Sequence, residues 1–491
     1  MKRILFTITA AMVSYVGFAQ NEVDALRYSW LNPQGTARTI GMSGAFGALG
    51  ADISTFSTNP AGIGLYRRNE FTFTPSLLSN SVSANYLGTE AEEFRALMQI
   101  SNIGLVGSYE GRSVDWKYFN FGVGYNKLKS FQENFRVAGT VNETTLLDVF
   151  TQQADGNLEA DLFDFFPFGA SLAYETYLIN PTDTGGVTTY TNAIREGGLI
   201  ENMMQIKNVE RTGSMGETVL TGGANYQDKL FVGATLGFPN VRFREVSTYT
   251  ETAINNSSYI GTWNYKEELL TTGNGFNLKV GAIYRANNWL RVGAAVHTPS
   301  WINLRDSYET EVTSRFIDGT TLTSTSPLGS YDYNLKTPAR YMLNAAFVLG
   351  KSGVISADYE YIDYSSSKLR SSRTVIEDYD FSAENGVIGD IYRGTHNVKV
   401  GIEGRVLNVL RVRTGFAYQQ SPYADNATRS DGDIMSYSAG FGVRKGNIFV
   451  DLGYSLSMTE KDYYLYDSQL SEPALIKKQE HLFAVTLGYR Y

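Results

Sequence analysis

The chain has 491 residues, with 42 Lys and Arg against 50 Asp and Glu, three His and no Cys. A formal charge of −8 argues against a nucleic-acid partner, and removal of Lys2 and Arg3 with a leader would take it to about −10. The absence of Cys excludes disulfides, thiol chemistry, thiolate metal ligation and a lipid-anchored cysteine.

Met1 to Ala19 opens with Lys2 and Arg3, runs apolar from Ile4 to Val16 and ends Gly17-Phe18-Ala19 before Gln20. This pattern predicts an export signal cleaved after Ala19, too short to span a bilayer comfortably. No later apolar stretch is long enough for a transmembrane helix, so an exported chain either floats free or crosses a membrane as a closed sheet. Aromatics at 13%, 48 Gly and a mean hydropathy of −0.22 suit strands that are half polar, with aromatic girdles and tight turns.

Gly41 to Gly62 is rich in small residues, carries no Lys or Arg and ends Asn59-Pro60-Ala61-Gly62. Gly41, Gly44, Gly47 and Gly50 recur every third residue. A phosphate-binding loop would need a preceding strand and, for a Walker A motif, a Lys followed by Ser or Thr; neither is present. Such density of Gly and Ala lets backbone pack tightly, and Asn59-Pro60 fixes a turn. The reading is a hatch over residues 20–70, folded inside a barrel built by residues 71–491.

Alternation then dominates. Val398, Val400 and Ile402 alternate with Asn397, Lys399, Gly401 and Glu403; Leu410, Val412, Phe416 and Tyr418 with Arg411, Arg413 and Gly415. Tyr437, Phe441 and Val443 interleave with Ser436, Ser438 and Arg444, and Ile448, Val450 and Leu452 with Asn447 and Asp451. One face of each strand is oily and the other wet. A sandwich and a membrane barrel both do this. Connection lengths decide between them. Short polar turns at Gly111-Arg112-Ser113, 226–229, 285–288, 350–353, 405–408 and 444–447 alternate with long connections near 87–100, 138–201, 250–260, 314–329, 370–394, 421–433 and 459–477. That asymmetry predicts an all-β, transmembrane antiparallel barrel of about fourteen strands, both termini periplasmic and the long loops outside.

Among those loops, Ala91 to Leu97 has the composition of a short helix. The longest holds Phe163, Phe165, Phe166 and Phe168 beside Asp161 and Asp164, which reads equally as loop packing, an additional strand or a greasy docking surface. The last strand ends Phe483, Val485, Leu487, Tyr489 and Tyr491 on one face. His297, His396 and His481 sit in or at the edge of strands without a cluster, and no nucleophile has a partnered base, so neither catalysis nor a cofactor is expected. Lys399, Glu403, Arg411 and Arg413 read as a paired network bracing the lumen, not a metal site.

Together these residues resemble the FadL/TodX (OmpP1) family of outer-membrane channels for long-chain fatty acids and other hydrophobic compounds. The resemblance is carried by Ala37-Arg38 through Gly41-Met42, Gly44-Ala45-Phe46, Asp52, Ser54 and Asn59-Pro60-Ala61-Gly62 near the N-terminus. Thr337-Pro338-Ala339-Arg340, Ala357 to Tyr361 and Asp363-Tyr364-Ser365 carry it at mid-chain, and His396 to Gly401, Leu410 to Tyr418 and Ser421-Pro422 later. It implies passive uptake across the outer membrane of a diderm bacterium. Asn59, Pro60, Ala61 and Gly62 would form the shifting hatch element, and the third strand around Phe121 to Phe131, with Gly122 and Gly124, would kink inward to leave a lateral opening. The Phe-rich loop would first capture ligand, and the terminal aromatic strand would be read by the barrel insertion machinery. Expected partners are hydrophobic small molecules and outer-membrane lipid and lipopolysaccharide, with the barrel a monomer. The rival is a barrel of the same family that carries protein cargo in secretion.

Overall fold

In the computed structural model, which describes residues 22–184, 187–196, 202–254, 259–372, 379–406, 409–425, 427 and 431–491, the alternating stretches form one antiparallel ladder that closes on itself. The leader through Ala19 and the centre of the turn at 407–408 lie outside the described residues. Fourteen wall strands run in chain order. They are β1 Glu70–Tyr86, β2 Thr89–Glu110, β3 Trp116–Ser130 continued by Glu133–Val141, β4 Met203–Tyr226, β5 Leu230–Ala253 and β6 Ile260–Arg285. Next come β7 Leu290–His297 with Trp301–Phe316, β8 Gly329–Lys336 with Arg340–Leu349, and β9 Gly353–Asp363 with Lys368–Ser371. Then follow β10 Gly394–Arg405, β11 Leu410–Gln419, β12 Ile434–Lys445, β13 Ile448–Tyr464 and β14 Pro473–Arg490. The ladder counts nineteen segments because four of these strands are interrupted and Thr321–Thr325 adds a hairpin arm beside β7.

The oily faces point outward. Val400, Ile402, Val412, Phe441, Val450, Phe483 and Leu487 are all more than a third exposed, whereas Asn397, Glu403, Arg413, Ser438, Asp451 and Thr486 on the opposite face are buried. This is the inverse of a sandwich: lipid solvates the apolar face, and the lumen must satisfy every buried polar group. Arg413 is so held, its Nε donating to Glu403 Oε2 at 2.7 Å and its Nη1 to Asp451 Oδ1 at 2.6 Å. Arg411 lies 3.9 Å from Glu403, while Lys399 lines a separate part of the lumen.

Two loop expectations are corrected. Residues 87–100 are not a long connection: Leu87 and Gly88, both at positive φ, make a two-residue turn, and β2 begins at Thr89. Ala91–Leu97 is accordingly strand, not helix, with Phe94, Ala96 and Met98 outward and pairing to β1 from Val82↔Glu93 to Leu78↔Leu97. A neighbouring strand overrides the helix-forming composition. Elsewhere the strands run further past the membrane than their alternation suggested. β4, β5 and β6 have 24, 24 and 26 residues, against the 9–11 or so that cross the bilayer.

The described parts of the long segment 142–202 pack at the outer end. Its helices Leu146–Ala154, Leu162–Phe165 and Ala170–Glu175 and the hairpin Ile179–Thr184/Val187–Asn192 bury Leu147, Phe150, Leu162 and Leu172 against Tyr249, Trp263 and Tyr463 of the wall. Thr145 starts the first helix with a capping box. Leu147 N donates to Thr145 Oγ1, and Thr145 N to Asp148 Oδ2, each at 3.2 Å.

Candidate functional site: the hatch and the interrupted wall

Residues 22–69 lie inside the ring and reach every side of it. Two turns of helix, Ala37–Ile40 and Ile53–Ser57, are tied by one buried carboxylate. Asp52 accepts from Thr36 Oγ1 at 3.0 and 2.9 Å, from Thr39 Oγ1 at 3.3 Å and from Ser54 N at 3.0 Å. Wall strands then grip this knot. Ala37 N donates to Thr486 Oγ1 at 2.7 Å, Arg38 makes a fork to Glu403 at 2.9 and 3.0 Å, and Phe46 N and Gly47 N donate to Asp358 Oδ2 at 2.8 and 2.9 Å. On the far side Ser57 Oγ donates to Glu217 at 2.8 Å and Asn120 Nδ2 to Ile63 O at 2.7 Å.

Close approach explains the small residues on both partners. A Cβ on Gly233 would sit 2.2 Å from Pro60 O, and one on Gly453 2.3 Å from Ala37 O. Glycines of the wall therefore let the backbone of the enclosed segment lie directly on strand backbone.

Asn59 is fully buried and N-caps the turn Pro60–Leu65. Its Oδ1 accepts from Ala61 N at 3.2 Å, while Nδ2 donates to Gly47 O at 2.9 Å and to Asn344 Oδ1 at 3.1 Å. Pro60, Ala61 and Gly62 follow, all buried, with Gly62 packed on Thr55. One side chain thus joins two loops of this segment to β8. His297 holds the residue before Asn59: its Nε2 lies 2.6 Å from Thr58 O. His396 and His481 pair instead with Tyr359 at 2.7 Å and Tyr454 at 2.9 Å.

The N-terminal end of this segment is not periplasmic, as expected of both termini. The C-terminus is: Tyr491 pairs with Asn69 at the short-turn end. Glu22, by contrast, lies at the outer end of β10, its carbonyl accepting from Tyr392 Oη at 3.0 Å. From there Glu22–Arg27 and Tyr28 descend through an apolar cluster with Phe131, Phe243 and Tyr333. Below Tyr28 and Leu31, a lumen space bounded by Met215, Met342, Lys279, Arg340, Glu360 and Lys399 holds only about 40 Å³. Ligand pockets usually need about 300 Å³ or more, so this space is too small for a long-chain ligand in this conformation.

The wall itself is incomplete at one seam. β2 and β3 pair only from Glu110↔Tyr118 to Asn102↔Asn126. Beyond that, Leu128 is an extra residue opposite β4, between Lys127↔Gly216 and Lys129↔Met215. The strand breaks at Phe131-Gln132, and Glu133–Val141 pairs with β4 while crossing the lumen. Phe135 reaches the Tyr463 ring at 4.9 Å, and Lys461 of β13 holds Glu133 at 3.0 Å. Among the described residues the edge of β2 from Thr89 to Ile100 has no ladder partner but β1.

Gly122 and Gly124, expected at the opening, are paired on both sides: Gly122 with Val106 and Thr221, Gly124 with Gly104 and Val219. The interruption falls above them. Their inward faces make room for the hatch instead, a Cβ on Gly122 meeting Phe56 at 2.6 Å and one on Gly124 meeting Ile53 at 3.3 Å. On the outer loop Phe163 and Phe165 are 44% and 65% exposed. Phe166 packs on the outer core, and Phe168 packs on Tyr308 at 5.3 Å, its carbonyl accepting from Tyr265 Oη at 2.8 Å. The four Phe thus divide between surface and packing. Asp358, Asn344, Glu217 and the Leu128 bulge escaped sequence reasoning; only Asp358 stood in a quoted motif, without a role.

Residues 222–491 match the model of the outer membrane protein transport protein family (OMPP1/FadL/TodX). The 47 kDa outer membrane protein of Pasteurella multocida (strain Pm70) is 23% identical over 228 residues, which are 44% of this chain and 50% of that one. The chain therefore spans about half the length of that curated relative. Among solved structures, a Pseudomonas aeruginosa FadL homologue is 15% identical with a TM-score of 0.56, covering 93% of this chain and 98% of its own. The Pseudomonas putida toluene transporter TodX is 11% identical with a TM-score of 0.51, covering 93% and 98%. At such identity the likeness shows the fold alone. The family match spans more than half of the residues and, with the outward apolar belt, makes this a barrel of the outer membrane: the chain belongs to the OMPP1/FadL/TodX family, whose members are transport channels and not enzymes.

Proposed function

We propose that the protein carries hydrophobic compounds, long-chain fatty acids or aromatic hydrocarbons, passively inward across the outer membrane, releasing them sideways through the seam between β2 and β3. The observation that supports this most is the position of the interruption. From Tyr109, near the periplasmic girdle, to Ser101 is a climb of about 20 Å for a strand tilted roughly 40°, so the open edge begins inside the apolar belt. Phe94, Met98 and Ile100 line that edge on its outward face. An apolar molecule leaving there enters lipid without crossing water, and each methylene kept out of water contributes about 0.8 kcal/mol.

Capture is assigned to Phe163 and Phe165 on the outer loop, with Phe166 and Phe168 holding that loop in place. Residues 20–70 act as a hatch that shifts when ligand arrives, a reading supported by the small space of about 40 Å³ beside them, and Asn59 is the side chain whose bonds break. Uptake of labelled fatty acid and of toluene by a deletion strain carrying the gene or its Asn59→Ala variant tests the reading. Wild-type complementation is expected, with the variant folding normally and transporting several-fold less; loss of about 1–3 kcal/mol of buried hydrogen bonding would bias the hatch to that extent. Unchanged uptake across a broad panel, with a protein partner and no acyl chain in the gently purified material, would replace this reading with carriage of cargo in secretion.

A further inference from the structure

The periplasmic mouth of the lumen has a chemistry that hydrophobic transport does not use. A cavity of about 440 Å³ lies between the hatch and the short-turn ends of the wall. Two hatch arginines, Arg38 and Arg67, face into it. Five wall arginines face them: Arg285, Arg291, Arg411, Arg444 and Arg490. The apolar remainder of the lining is small, chiefly Leu49, Leu65 and Phe231.

The carboxylates nearby do not balance these cations. Glu403 is shared by Arg38 and Arg413, Glu70 is taken by Arg490, and Asp228 by Arg67 at 2.8 Å. Arg411 approaches Glu403 only to 3.9 Å. Among the described residues no carboxylate lies within ion-pair distance of Arg285, Arg291 or Arg444. Arg291 donates to Leu49 O at 3.0 Å, and Arg444 lies over the Phe449 ring at 6.0 Å. Arg285 and Arg291 are cross-strand partners, a like-charge pair that repels. A chain of net charge −8 has thus gathered seven guanidiniums, three of them without a carboxylate partner among the described residues, around one cavity at one end. Guanidinium forks match the oxygens of phosphate and carboxylate groups and are poor partners for a neutral hydrocarbon.

We propose that this vestibule is a binding site for a soluble multivalent oxyanion of the phosphate class. The anion bridges Arg38 and Arg67 of the hatch to Arg285, Arg411 and Arg444 of the wall, relieves their mutual repulsion and fastens the hatch in its closed position. The proposal holds whichever compound the lumen carries.

Titration calorimetry on the full-length mature protein in non-ionic detergent, with inorganic pyrophosphate as the probe, tests it. Saturable one-site binding that weakens as salt is raised is expected. The double variant Arg285→Gln/Arg444→Gln should bind at least about tenfold more weakly, the loss of one or two charge-assisted hydrogen bonds. Arg112→Gln, in an exposed turn outside the cavity, should bind as wild type, and heat-shifted gel mobility confirms that each variant is folded. Pyrophosphate should also slow amide exchange over residues 36–66 in the wild type but not in the double variant. No saturable heat with the folded wild type, equal affinity in the double variant, or binding without slower exchange in the hatch would each overturn the proposal.

Discussion

Two seams of this barrel have opposite fates. β1 meets β14, the two ends of the ring, in a ladder from Glu70↔Arg490 to Asn85↔Leu475, irregular only around Thr74. β2 meets β3, consecutive in the chain and joined by a short turn, over only nine residue pairs. Sequence proximity therefore does not decide which seam holds. The closing seam is sealed by regular alternation on both strands and by Glu70, which takes both Arg490 and the Tyr66 hydroxyl. The other seam parts where each strand carries an extra residue, Ser101 on β2 and Leu128 on β3, followed by a break at Phe131-Gln132 that turns the strand inward, where Phe135 and Glu133 find apolar and ionic partners across the lumen. A bulge bends and twists its strand, and here it exchanges one neighbour in the wall for partners inside it.

The open seam depends most on Gly213, which lies on β4 beside the break at φ +102° and accepts from Phe131 N at 3.0 Å. A Cβ there would lie 2.0 Å from Arg242 O. Gly213→Val should cost several kcal/mol, since a left-handed β-branched residue and a backbone clash add, and urea unfolding in lipid vesicles should show much weakened or absent assembly. An unchanged midpoint would mean that β4 straightens freely and that the bend belongs to β3 alone. Next in size is the closed seam. Glu70→Gln leaves Arg490 and Tyr66 with a weaker acceptor and should lower stability by about 1–2 kcal/mol, with fraying of β1 and β14 at their periplasmic ends in amide exchange. Fraying at β2 and β3 instead would reverse the ranking of the two seams.

The closed seam was legible in the residues themselves, whereas the open one was expected only through the family resemblance, in the third strand around Phe121 to Phe131, for a physical reason. Strand faces announce themselves by period, so Phe483, Val485 and Leu487 on β14 read as lipid-facing from their spacing alone. Pairing does not: nothing in Asn126 to Gln132 shows that β3 leaves β2, because a bulge is one residue out of phase and its inward partners, Tyr463 and Lys461, are more than three hundred positions away. Gly122 and Gly124 drew attention as glycines in the right strand, yet they serve close packing on Phe56 and Ile53. The tight packing of the segment inside the ring was readable as a density of small residues ending in Asn59-Pro60. Its anchors were not, since Asp358 and Asn344 look like any other inward polar residues of an alternating strand.

The smallest predicted effect separates stability from seam opening most cleanly. Arg95, on the unpaired part of β2, reaches across the interruption and donates to Asn134 Oδ1 and Glu210 Oε1, each at 2.7 Å. Its side chain is about a quarter exposed and Glu210 is half exposed, so water screens the pair and Arg95→Ala should change global stability by less than about 1 kcal/mol. No ladder bond joins these two segments, however, so this side chain is a tether between them. Its removal should raise amide exchange in residues 133–141 while β1, paired to β2 throughout, stays protected. Equal exchange in the two proteins would mean that the contacts of Glu133 and Phe135 across the lumen alone fix the inward strand, and that the open edge of β2 moves independently of it.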